Sequence, residues 1–158
     1  MKTFRKRLIF AAICLMLPAQ LIAAERVVGV NTYVRKVETW PLDPGGSGSV
    51  YWRQNHYGNY EMREGPMGFG TAECIGAGFG EAAGSRGEGI CLYESSEGTF
   101  TMRWQARPGE LTSWKITSGT GKFEGIRGEG VTRSRILSEF VALQQYESTW
   151  EGEITLPE

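Results

Sequence analysis

The stretch Tyr146-Glu147-Ser148-Thr149-Trp150-Glu151-Gly152-Glu153-Ile154-Thr155-Leu156 changes character at every step. Tyr146, Ser148, Trp150, Gly152, Ile154 and Leu156 share one face, and the glutamates and threonines share the other. Such period-2 alternation predicts a strand with one buried face and one wet face. Residues 99–107 repeat the pattern, with Phe100, Met102, Trp104 and Ala106 inward and Thr101, Arg103, Gln105 and Arg107 outward. Trp114 and Ile116 flank Lys115 in a third strand. Further strands are predicted at 27–37, 49–57, 68–75, 88–93 and 130–137. About eight strands, spaced by turn signals and with no convincing helix, indicate an all-β sandwich or barrel.

Turns punctuate this pattern. Pro41-Leu42-Asp43-Pro44-Gly45-Gly46-Ser47-Gly48 is a turn or loop by composition, as are 94–98 and 107–109. The run Ser118-Gly119-Thr120-Gly121-Lys122-Phe123-Glu124-Gly125-Ile126-Arg127-Gly128-Glu129-Gly130 holds five of the 22 glycines. A phosphate-binding loop needs Ser or Thr after its Gly-Lys and a helix beyond. Phe123 follows Lys122, so a β-turn with bulges is expected here.

The N-terminus reads as a secretory leader at 1–24. Lys2, Arg5, Lys6 and Arg7 precede an apolar run ending at Pro18, and small residues lead up to Glu25. That run is too short to span a bilayer. Residues 25–158 are expected to form a single periplasmic or secreted domain. The leader carries four basic and no acidic residues. The 17 Lys+Arg and 18 Asp+Glu of the chain therefore become 13 and 18, a net charge of −5. An acidic domain is a poor nucleic-acid binder. Asp43 is the only aspartate, which argues against a calcium loop. With a single histidine, His56, and no Cys-x-x-Cys, no metal or other cofactor is expected. The wet strand faces carry Glu, Arg, Lys and Thr rather than a lipid-facing apolar band, so no integral membrane insertion is expected.

Cys14 falls within the leader, which leaves Cys74 and Cys91. In an exported chain such a pair is expected to form a disulfide. Its midpoint at Ala82-Ala83 suits either a long hairpin clamped by the bridge or a glycine loop tethered by it.

Cys74-x-Gly76, Gly87-x-Gly89-x-Cys91, Trp104, the motif Gly119-Thr120-Gly121-Lys122-Phe123-x-Gly125-Ile126-x-Gly128-x-Gly130 and Trp150-x-Gly152 together resemble a group of small exported bacterial proteins. That group is similar to the allene oxide cyclase barrel, a calycin-like fold shared with plant dirigent proteins. The resemblance covers roughly residues 70–155. It implies an eight-stranded antiparallel barrel with a central cavity, and a small apolar or amphipathic ligand inside it. It assigns no catalytic residue, because the cyclases' catalytic positions do not align to this chain.

Trp52, Trp104, Trp114 and Trp150 either line such a cavity or fill a small barrel, filling being the simpler reading. Trp40 is placed in the loop region. His56 has no orienting carboxylate in sequence and is expected at the surface or rim. Were the barrel hollow, Trp52, His56, Trp104, Trp114 and Trp150 would hold a ligand by stacking and hydrogen bonding. Glu73, between Ala72 and Cys74, is expected to face solvent, since a buried carboxylate is costly without a partner. Three functions follow from this sequence: a binder of a small hydrophobic molecule, an isomerase or cyclase acting on one, and a secreted inhibitor presenting an apolar patch or a loop at 41–48 or 76–89.

Overall fold

A side chain on a strand points opposite to its neighbours, so eight alternating strands can enclose an interior by curling into a ring. The strands are β1 (Glu25–Pro41), β2 (Val50–Glu64), β3 (Phe69–Glu81), β4 (Gly84–Ser95), β5 (Gly98–Ala106), β6 (Thr112–Gly119), β7 (Arg127–Phe140) and β8 (Leu143–Thr155). A computed structural model describes residues 23–43, 45–46, 48–140 and 143–157. The leader expected at 1–24 lies outside these residues, apart from Ala23 and Ala24. Each strand pairs antiparallel with the next, and β8 returns to β1, which closes an eight-stranded barrel. Closure gives every strand a neighbour on both sides, although β6 and β7 meet only over Thr112–Lys115 and Glu129–Thr132.

Inward residues are odd-numbered on β1 and β4 and even-numbered on β2, β3, β5, β6 and β8. The faces predicted for 99–107 and 146–156 are those observed: Phe100, Met102, Trp150 and Ile154 are buried. Glu73 is exposed, as expected. On the outside, Ile75 and Ile90 face each other across β3 and β4, each about half exposed. Surface ion pairs such as Arg53–Glu38 and Arg135–Glu147, both 2.8 Å, cross neighbouring strands.

Several strands run further than their sequence suggests. β3 and β4 continue through Gly76, Gly78, Gly87 and Gly89, so the segment between the cysteines is a long hairpin rather than a loop. These glycines face inward in register, Gly76 opposite Gly89 and Gly78 opposite Gly87. The Trp104 ring lies over the first pair and the Trp52 ring over the second. Across the barrel, Gly130 opposes Gly152, and the Trp114 ring covers both. Gly29 sits beneath Trp150. Each indole therefore lies along the wall, over strands that present no side chain, instead of projecting across the interior.

One end of the barrel is sealed. Tyr93 and Phe100 stack at 4.5 Å, Tyr60 meets both edge-on, and Phe123 meets Phe100 edge-on at 5.5 Å. Met67, Phe123 and Ile126 are fully buried there. The glycine-rich run thus folds differently from the β-turn expected of it. Gly121–Phe123 is a turn of 3-10 helix that inserts Phe123 as a plug. Gly121 and Gly125 allow this because both adopt positive φ, +60° and +75°, which other residues rarely do. Lys122 fastens the plug to the β4–β5 turn through Glu97, at 2.7 Å from its carboxylate, so the lysine is engaged in an ion pair.

Cys74 and Cys91 face each other in register, with Cα atoms 4.0 Å apart, and are joined as a disulfide on the inner wall. The bridge spans 17 residues. Replacing both cysteines by alanine is expected to cost about 3 kcal/mol of stability, measured by urea unfolding. Gly130→Ala is expected to cost about 1–3 kcal/mol or more by overpacking, because the added methyl runs into the Glu151 carbonyl oxygen and meets Trp114 Cζ2 at 2.5 Å. Gly46→Ala, with nothing within 4 Å, is the control, expected to change stability by less than about 0.5 kcal/mol.

Candidate functional site

With the indoles laid against the wall, the barrel is hollow above its sealed end. The lumen has a volume of about 420 Å³. It reaches solvent beside Thr39 and Ser85, at the end of the barrel carrying the β1–β2, β3–β4 and β5–β6 connections. Trp114 and Trp150 are packed edge-to-face at 5.4 Å and are both buried, forming the deeper wall. Trp52 and Trp104 lie nearly parallel, 10° apart with centroids at 6.4 Å, and remain partly accessible nearer the mouth. The lining is therefore largely aromatic, the four indoles being joined by Tyr33, Tyr93 and Tyr146, with Val37, Met102 and Ala106 as the aliphatic contributions.

The polar groups of the lumen divide into those that satisfy one another and those left over. Deep inside, Asn31 Nδ2 donates to Tyr93 Oη at 3.0 Å, and Trp150 Nε1 donates to Asn31 Oδ1 at 3.2 Å. Ser148 Oγ lies 2.8 Å from both Thr132 Oγ1 and Ser134 Oγ, and Thr132 Oγ1 also donates to the Thr149 carbonyl. Tyr33 Oη is 3.3 Å from Cys74 Sγ. Burial pushes the Tyr33 and Tyr93 phenols up, so both are neutral. These contacts knit the wall.

His56 and Arg35 are different. They face each other across β1 and β2. His56 is 6% exposed, held between the rings of Tyr33 and Tyr146, each 5.2 Å away, and its Nε2 has no hydrogen-bond partner among the described residues. Burial, reinforced by the neighbouring Arg35 charge, lowers its pKa to about 3. Arg35 Nε donates to Gln144 Oε1 at 3.0 Å, and its guanidinium lies over the Tyr146 ring at 4.9 Å. Neither Nη group has an acceptor among the described residues. No aspartate or glutamate is among the described residues lining the lumen.

Trp52, His56, Trp104, Trp114 and Trp150 thus share one lumen. Two placements differ from expectation. His56 is buried in the wall rather than at the surface, because β2 extends to Glu64 and leaves it mid-strand on the inward face with Trp52 and Gln54. Trp40 belongs to β1 rather than a loop, its ring 5.6 Å from Tyr51 at the mouth-side end of the strand. Sequence reasoning passed over Arg35, Tyr33 and Tyr146. The alternation of β1 carries a misleading cue, for Val34 faces out while Arg35 faces in.

The fold and site together define a class: a closed eight-stranded antiparallel barrel with one sealed end and an aromatic lumen open at the other. No protein-family description, curated protein or solved structure matches the chain. Among the described residues no helix is long and apolar enough to cross a membrane, and no cluster of His, Cys, Asp and Glu could hold a metal ion.

His56 is the chain's only histidine, so one titration can be read cleanly. Its pKa is about 3 when folded, against an ordinary 6.5. Between these values the unfolded chain binds a proton that the folded chain refuses. Stability is therefore fully present above pH 6.5 and falls as the pH drops, by up to about 1.4 kcal/mol per pH unit. Thermal unfolding between pH 7 and 5 is expected to show this slope in the wild type and a flattened one in His56→Gln.

Proposed function

We propose that this protein is an exported barrel that holds a small apolar or amphipathic molecule in its lumen. The observation that carries the reading is the seating of indoles on inward glycines. Glycine within a strand costs roughly 0.5–1 kcal/mol relative to alanine. This barrel places such glycines beneath Trp52, Trp104, Trp114 and Trp150. The arrangement maintains an open aromatic space where ordinary side chains would have filled it. Ligand sites are concave and mainly apolar, with a few polar groups that set orientation, and Arg35 and His56 supply those groups. The disulfide supports an oxidising compartment, in keeping with the leader expected at 1–24. The calycin-like, allene oxide cyclase-like relationship belongs to this proposal and rests on the motifs quoted above.

An isomerase or cyclase is the second reading, favoured by the same two ionisable groups in the lumen. Binding is preferred because a histidine with a pKa near 3 is a weak base at neutral pH, where general base catalysis works best with a pKa near the ambient value.

The test is a titration with 1-aminoanthracene, a neutral fluorescent aromatic probe. Saturable one-to-one binding is expected in the wild type. Ala106→Trp places a bulky ring on the lumen wall and is expected to weaken binding about tenfold or more while the protein remains folded by circular dichroism. Absence of binding to the wild type, or binding untouched by the filled lumen, overturns the proposal.

A further inference from the structure

We propose that the lumen selects a small aromatic monoanion, a ring carrying one carboxylate, with the carboxylate on Arg35 and the ring against Trp52 and Trp104. This rests on the lumen being a binding site and goes further by naming the charge and shape of the guest.

The charge follows from what Arg35 lacks. A guanidinium offers five N–H donors in a planar fork that matches a carboxylate. Arg35 uses Nε on Gln144, an uncharged acceptor, and its face on Tyr146. Both Nη groups remain without an acceptor among the described residues. Elsewhere on this barrel five arginines are matched to acids, Arg26 to Glu64, Arg53 to Glu38, Arg86 to Glu81, Arg103 to Glu88 and Arg135 to Glu147, while Arg107 and Arg127 bond uncharged oxygens. Those arginines belong to the outer surface and its turns. Among the described residues the arginine that lines the lumen has no such partner, and none of the described lining residues is acidic. Gln144 and Tyr146 hold the fork in place before a guest arrives, which reduces the ordering cost of binding. Across the strand pair, His56 is neutral and leaves Nε2 without a hydrogen-bond partner. An uncharged imidazole beside the fork adds no competing anion.

The shape follows from the walls. Trp52 and Trp104 lie nearly parallel, 10° apart, and both line the lumen while remaining partly accessible. Flat π-surfaces favour a planar guest by offset stacking. A long alkyl chain would need depth, and Phe100, Phe123 and Tyr60 close the far end.

Displacement of 1-aminoanthracene by a matched series tests this. 2-Naphthoate is expected to bind about tenfold or more tightly than its neutral analogue 2-naphthamide. 2-Naphthylmethylammonium is expected to displace the probe least, and decanoate less well than 2-naphthoate. Arg35→Gln is expected to abolish the preference for naphthoate over the amide while still binding 1-aminoanthracene. Arg35→Lys is expected to retain part of it. Equal binding of acid and amide by the wild type, or a preference that survives in Arg35→Gln, overturns the charge assignment and leaves the binding reading standing. Tighter binding of decanoate overturns the aromatic assignment. Failure of the wild type to bind 1-aminoanthracene at all overturns the binding reading, and this inference with it.

Discussion

An indole ring laid on a bare strand is the contact on which this architecture depends. Eight strands enclose an interior that ordinary side chains just fill, and a tryptophan on each of β2, β5, β6 and β8 would overfill it. Removing the opposing side chains solves the problem locally. Gly76 with Gly89, Gly78 with Gly87, and Gly130 with Gly152 are cross-strand neighbours, so each pair clears a seat two strands wide. The Cζ2 side of Trp52, Trp104 and Trp114 packs over these glycines, and all four indoles line the lumen.

The two ends of the barrel use aromatic residues in opposite ways. At the sealed end, Tyr60 meets the stacked Tyr93–Phe100 pair edge-on and Phe123 meets Phe100 edge-on, both arrangements that ring quadrupoles favour when the stack is offset. Toward the mouth, Trp52 and Trp104 share the wall side by side and leave space in front of them. Between these regions the hydrogen bonds of Asn31 with Tyr93 and Trp150 form a self-contained layer. That layer separates a packed core from a chamber in which Arg35 and His56 have polar capacity to spare.

Much of this was legible in the sequence where the inward residues are apolar. The faces of β5 and β8 followed from strict alternation and the outward Glu73 from the cost of burying a carboxylate, while the hairpin between Cys74 and Cys91 was one of two readings that the spacing left open. The missed features share one physical cause. A reading of alternation takes the interior to be apolar and filled, whereas a hollow, solvent-reaching lumen accepts polar groups. Arg35 was therefore passed over, and His56 was placed at the surface or rim. The glycines misled in another way. Glycine weakens strand propensity, so β3 and β4 seemed to end where their seats begin. Lys122 and Phe123 lay in a run whose spacing spoke of turns, and only the surrounding aromatic residues reveal Phe123 as a plug.

The pairing of β8 with β1 has a temporal meaning as well as a geometric one. Seven of the eight strand pairs join neighbours in sequence, and their contacts can form locally. The eighth joins Arg35 to Gln144 and Asn31 to Trp150, across separations of 109 and 119 residues. Bringing such distant segments together is the slow part of building a sheet. Until that seam closes there is a curved sheet with two raw edges and no inside. One wall of the chamber straddles this seam, through the Arg35–Gln144 and Asn31–Trp150 contacts, so the chamber is complete only when the seam is closed.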